Sequence, residues 1–80
     1  MSAKAQRRTR KMEMEYKSLS EREKQLVDLI YAEASRLSQE TGIIHEVDHI
    51  VPRKHGGLHH PDNLQILTRD ANHKKGAKGV

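Results

Sequence analysis

Apolar positions along this chain fall into one long helical stripe and two short β-branched runs, with polar sequence before, between and after them. Leu26, Val27, Ile30, Ala34 and Leu37 recur at three- and four-residue steps, the period at which side chains share one face of an α-helix. Ser20 and Glu23 stand where a capping box needs them, the serine oxygen accepting from a free backbone N–H while the glutamate reaches back to the cap. Thr41-Gly42 closes the segment, because glycine tolerates the left-handed backbone just past a helix end. The pattern predicts a scaffold helix over about Glu21 to Glu40, with no chemistry of its own.

From Gly42 the period changes. Ile43, Ile44, Val47, Ile50 and Val51 are β-branched and predict a strand running up to Pro52, which has no N–H to give to a sheet ladder. Arg53–Asp62 contains Gly56-Gly57 and Pro61 and reads as a loop. Leu64-Gln65-Ile66-Leu67 predicts a second short strand, and Thr68 is placed to cap a final helix over about Arg69–Lys78, frayed by Gly76 and Gly79. Residues 1–18 differ from all of this: Met12, Met14 and Tyr16 make a poor apolar face in a basic stretch. That arm reads as helical or partly disordered, the thin stripe favouring partial disorder. The sum is an α+β chain with a basic arm over 1–18 and one domain over 19–80, in which a long helix precedes a ββα unit at about 43–79.

Composition narrows the classes of function. Eighty residues make one domain at most, and a chain this short buries only roughly 60% of its unfolded surface. There is no Phe or Trp, Tyr16 and Tyr31 are the sole aromatics, and charged residues reach 32% of the chain. A bound metal, partner or substrate is therefore a natural source of extra stability. The formal charge is +4, with Lys and Arg gathered near both ends, a distribution suited to a polyanion because such side chains displace condensed counterions. With no Cys, neither a disulfide framework nor a thiolate zinc knot is available. No apolar run reaches membrane-spanning length and Met1–Lys11 lacks a signal-peptide core, so the expectation is a cytoplasmic protein without a membrane partner.

Candidate chemistry is concentrated between His45 and Gly76. Asp48-His49 sets a carboxylate beside an imidazole, Asn63 opens the second strand, and Asn72 sits just inside the last helix. Two strands and a helix would bring these four groups into one cleft. Phosphodiester hydrolysis needs a cation at the scissile phosphate, a base for the water, and donors that neutralise developing charge. Carboxylate and amide oxygens suit a hard ion such as Mg²⁺, and neutral histidine is the natural base near pH 7. One geometric condition attaches to this. Neighbours on a regular strand face opposite ways, so Asp48 and His49 share a site only if the strand ends or twists there, as Pro52 allows. His45, an even number of residues before His49, is an outer candidate on the same face; His55 and His60 read as exposed or structural.

Asp48-His49-Ile50-Val51-Pro52, Gly56-Gly57, Asn63-Leu64-Gln65-Ile66-Leu67 and Asn72-His73-Lys74-Lys75 together resemble the motif of the HNH (ββα-metal) endonucleases, and agreement in both order and spacing is far more specific than any one dipeptide. The helix ending at Gly42, with Val47-Asp48-His49 and Gly57-Leu58-His59, is similar to small phage-type HNH proteins that lack zinc-binding cysteines, which would work in a host cytoplasm. The resemblance implies that His49 is the general base, that Asp48 and Asn72 ligate one divalent metal, and that Asn63 braces the loop that orients His49. It also implies products with 5′-phosphate and 3′-hydroxyl ends. His59 falls near the cleft, where it would contact phosphate or assist the leaving group. His73 is the rival of Asn72, helix register deciding between them. Lys75 falls on the family's lysine, and Arg53, Lys74 and the arm's Arg7, Arg8 and Arg10 are candidates to grip phosphates.

The chain departs from parts of the pattern. It has no CxxC pairs, and it carries Gly76 where colicin-type nucleases have a further histidine. A ligand set of Asp48 and Asn72 favours Mg²⁺ or Mn²⁺, with Zn²⁺ as the lesser alternative. The expected substrate is double-stranded DNA cut with little sequence preference, since little chain remains to read bases; monomer and homodimer both stay open. A non-catalytic nucleic-acid-binding or accessory module on the same fold is the alternative reading.

Overall fold

The computed structural model describes the backbone of residues 3–78 and the side chains of residues 10–76. In chain order the elements are helix α1 (Ala3–Lys17), helix α2 (Glu21–Thr41), strand β1 (His45–His49), two single-turn 3₁₀ segments (Arg53–His55 and Pro61–Asn63), strand β2 (Leu64–Thr68) and helix α3 (Arg69–Lys78). The class is α+β, a long helix ahead of a ββα unit. No helix among the described residues is long and apolar enough to cross a membrane.

Helix α2 starts and stops where its sequence says. Ser20 Oγ accepts from the Glu23 N–H at 3.1 Å and Glu23 Oε1 accepts from the Ser20 N–H at 2.9 Å, the reciprocal bonds of a capping box. At the other end Gly42 takes φ 72° and its N–H returns to the Ser38 carbonyl. Val27 (2% exposed) and Ala34 (4%) face the core with Leu64 (7%), and Ile30 and Leu37 are half-buried beside them. Leu26 is exposed: one step along the helix from Val27 turns it away from the stripe in which the sequence pattern includes it. Burying a side chain such as Val27 contributes about 1.5–3 kcal/mol, so this small set carries much of the scaffold.

The β1 and β2 strands form a two-stranded antiparallel sheet, His45 opposite Thr68 and His49 opposite Leu64. Strand β1 is shorter than the Ile43–Pro52 run predicts, because a five-residue partner can pair only five residues. Ile43, Ile44, Ile50 and Val51 lie beyond the ladder and are exposed. The strand is tied to α2 at its start, where Ser38 Oγ accepts from the His45 N–H at 2.8 Å. At its end the Ile50 N–H goes to the Asn63 carbonyl.

The first segment is a helix over Ala3–Lys17. Its C-terminal turn is held to the rest of the chain. Tyr16 OH donates to the Asp28 carboxylate on α2 at 3.0 Å, and Glu15 reaches the loop that follows β1. The side chains of Arg7 and Arg8 lie outside the described residues.

Candidate active site

The ladder stops at His49, and the chain turns through Pro52 into the first 3₁₀ segment. That ending meets the condition set by adjacency, for Asp48 and His49 line one cleft. Helix α3 follows β2 with no linker, Thr68 Oγ accepting from the Ala71 N–H at 3.2 Å. Asn72 and Lys75, one turn apart, are thereby carried to the same cleft. It has a volume of about 270 Å³, and its walls include Asp48, His49, Arg53, Asn72 and Lys75.

Asp48 stands opposite Gln65 in the ladder. Its Oδ2 accepts from Gln65 Nε2 at 3.1 Å and from the Lys75 ammonium, which also donates to the His49 carbonyl at 2.6 Å. Burial pushes the Asp48 carboxyl up, but the bonds from Lys75 and Gln65 together outweigh it and hold the group below its ordinary value. It is ionised at neutral pH. Asn72 Nδ2 donates to Glu46 Oε1 at 2.9 Å, and Arg69 Nε lies 3.7 Å from the other oxygen of that carboxylate. With its nitrogen spent on Glu46, the Asn72 amide keeps its carbonyl oxygen as the remaining donor atom.

His49 Nε2 lies 3.0 Å from His59 Nδ1. Burial, then the neighbouring His59 and Arg53, lower the His49 pKa, so the ring is neutral near pH 7, as a base must be. His59 is 6% exposed, and burial and Arg53 lower its pKa too. Its backbone N–H donates to Glu15 Oε1 at 3.0 Å. Arg53 grips the same carboxylate through Nη1 (2.8 Å) and Nη2 (2.5 Å). That two-pronged bond is the main reason the Glu15 carboxyl falls from 4.5 to about 2.

Asn63 fastens the loop from three directions. Its Oδ1 accepts from the Val51 N–H at 2.8 Å, and its Nδ2 donates to the carbonyls of Leu58 (2.9 Å) and Val51 (3.2 Å). Gly57 is packed so closely beneath this knot that a Cβ there would overlap the Val51 carbonyl oxygen and come within 2.9 Å of Asn63 Nδ2. Gly56 takes φ 88°, a left-handed turn that suits only glycine well. The Gly-Gly pair thus meets two separate demands.

The remaining candidates lie elsewhere. His59 stands behind His49 and does not line the cleft. His73 and Lys74 are exposed on α3 outside its walls, and Arg10 is exposed on α1. His45 Nδ1 is engaged with the Ile43 carbonyl at 2.7 Å. His60 bonds Glu23 at 2.7 Å and accepts from the Asp62 N–H, and His55 is exposed.

Three residues at the site escaped the sequence reading. Glu46 was signalled, since it precedes Asp48 by two and shares its face of the strand. Gln65 needed the strand register, and Glu15 needed the docking of α1, neither of which periodicity supplies.

Among the described residues no three His, Cys, Asp or Glu side chains gather as a metal cage. The Asp48 carboxylate and the Asn72 carbonyl are two hard oxygen donors on an open cleft, which fits a Mg²⁺-like ion that keeps most of its shell for water and phosphate. The Lys75 ammonium bonded to Asp48 marks the spot as one that draws positive charge.

The chain has no significant match among curated proteins or solved structures. The family model for the HNH endonuclease matches residues 38–78, just over half of the chain, and spans β1, the braced loop, β2 and the α3 residues that wall the cleft. On that match, and with the ββα unit in place around it, the chain belongs to the HNH endonuclease family.

Proposed function

We propose that this protein is a divalent-metal-dependent endonuclease that hydrolyses phosphodiester bonds of double-stranded DNA. One observation carries the reading: Asp48, His49 and Asn72, from two elements, wall a single cleft together with Arg53 and Lys75. Asp48 and the carbonyl of Asn72 are the residues that would hold the ion, Mg²⁺ or Mn²⁺ before Zn²⁺. Bound there, a divalent cation supplies charge neutralisation at the phosphate and at the departing 3′ oxygen.

The rest is done by the chain. His49, neutral through burial, takes the proton from the attacking water. Asn63 fixes the backbone at Val51 and Leu58, and so the turn on which His49 sits. Arg53 and Lys75, which wall the same cleft, would add positive charge beside the phosphate. His59, bonded to His49 and outside the walls of this cleft, is assigned no contact with phosphate in this reading.

A second reading is favoured by that same Lys75: a chain whose Asp48 is permanently satisfied by an internal ammonium would bind nucleic acid without cutting it. Supercoiled plasmid with Mg²⁺ or Mn²⁺ separates the two. The nuclease converts it to nicked or linear product, and His49→Ala abolishes conversion while leaving DNA binding. Equal conversion by wild type and His49→Ala would remove His49 from the chemistry, and metal-independent binding without cleavage would establish the accessory module.

A further inference from the structure

We infer that His59 is a positioning residue that fixes the tautomer of His49, so that Nε2 of His49 carries the ring proton and Nδ1 keeps the free lone pair. The inference rests on the reading of His49 as the general base and names which of its nitrogens does the work.

The contact is a direct one between two imidazoles, Nε2 of His49 to Nδ1 of His59 at 3.0 Å, with ring centroids 5.3 Å apart. Two neutral rings can share such a bond in only two ways. Either His49 Nε2–H donates to a bare His59 Nδ1, or His59 Nδ1–H donates to a bare His49 Nε2. In the first case each ring carries its proton on Nε2, the form an isolated histidine prefers. In the second, each is forced into the less favoured form, and His49 has its outer nitrogen blocked by a proton. The first arrangement is favoured twice over, and it alone leaves His49 with a lone pair for water. Burial of the His59 ring supports the neutral pair, since a second proton there would be poorly solvated.

His59 is built to hold this position. Among the described residues it is the one buried polar side chain, 6% exposed. Its backbone N–H is tied to Glu15 Oε1 at 3.0 Å, and its ring lies 6.1 Å from that of Tyr31 on α2. It does not line the cleft, so it acts through His49. The choice of a neutral acceptor has a chemical consequence. A carboxylate in this place would also orient His49, but it would favour the charged ring and so load the base before it reached the water. An imidazole orients without that bias.

Long-range ¹H–¹⁵N spectra of the histidine rings in the full, metal-free chain at neutral pH test this directly. The expected result is a protonated Nε2 and a bare Nδ1 on His49. In His59→Leu the His49 signals should move toward a tautomer mixture. Plasmid cleavage should lose about tenfold to hundredfold in kcat with KM unchanged, the scale on which outer hydrogen-bond partners act at such sites. His59→Gln, whose side-chain carbonyl can accept, should recover most of the loss. An Nδ1–H form of His49 in the wild type overturns the inference. So does a folded His59→Leu, checked by circular dichroism and melting, with the His49 tautomer and kcat unchanged. If the wild type cleaves nothing in any divalent ion, the nuclease reading fails. The spectra then decide the assignment alone: a His49 that moves from a single Nε2–H form to a tautomer mixture on His59→Leu supports it, and a tautomer ratio that does not change overturns it.

Discussion

Replacing Glu15 with glutamine keeps the shape of the contact that ties α1 to the loop after β1 and removes its charge. The Glu15 carboxylate holds Arg53 with two bonds and the His59 N–H with a third, and its pKa falls from 4.5 to about 2. A shift of that size, fully realised, corresponds to about 3 kcal/mol. The pair is within reach of water, with side chains 24% and 19% exposed, and solvent and salt screening reduce the expected contribution to about 1–2 kcal/mol. Because the folded pKa is depressed, that contribution is complete above pH 4.5 and disappears as pH falls through about 2. The variant has no such charge to lose. Urea unfolding followed by circular dichroism should therefore show a gap of about 1–2 kcal/mol between wild type and Glu15→Gln at pH 7, unchanged down to pH 5 and closing between pH 4.5 and 2. In melting experiments at pH 7 the same gap appears as roughly 5–15 °C. Other carboxylates weaken both proteins in acid, so the difference is the quantity to follow. A gap that is absent at pH 7, or equally large at pH 7 and pH 2, would refute the assignment of this ion pair as the clasp.

Two further outcomes follow from the site. Gly57→Ala should lower the free energy of unfolding by about 1–3 kcal/mol, because its Cβ meets backbone at Val51 that cannot swing aside; an unchanged urea midpoint would show that the loop relaxes freely. In calorimetric titration with Mn²⁺, Asp48→Ala and Asn72→Ala should each weaken binding at least tenfold while His73→Ala leaves it unaltered, and the reverse pattern would seat His73 at the metal instead.

The parts of this molecule legible in the sequence are those governed by neighbours along the chain. The α2 stripe, its capping box and Gly42 depend on residues within a turn of one another, and each is where its local chemistry puts it. The same holds for Thr68 at the start of α3. Strand β1 was read too long because β-branched residues fit a ladder equally well at Ile43 or at Val51, and only the length of the partner strand decides where pairing stops. The motif residues were legible as types in a familiar order, which located Asp48, His49, Asn63 and Asn72. It could not give the distances between them. Arg53 was read as a phosphate contact, and the sequence held no sign that Glu15, 38 residues away, would meet it.

That last contact changes what counts as the working unit. The family match begins at residue 38, yet the helix that covers the sheet supplies its core residues Val27 and Ala34 from before that point. The His49 ring leans on His59, whose backbone is held by Glu15 near the end of α1. A site of this kind needs its groups held to a few tenths of an ångström if the base is to meet the water, and a two-stranded sheet in a chain without Phe, Trp or Cys has little rigidity of its own to offer. The stiffness comes instead from polar fastenings that reach across elements: Asn63 to Val51 and Leu58, Gln65 and Lys75 to Asp48, Glu46 to Asn72, and Glu15 to Arg53 and His59. Each is directional in a way that apolar packing is not. The thin core and the dense hydrogen bonding around the cleft are therefore two sides of one solution, in which the geometry of the site is set less by how much is buried than by which polar groups find one another.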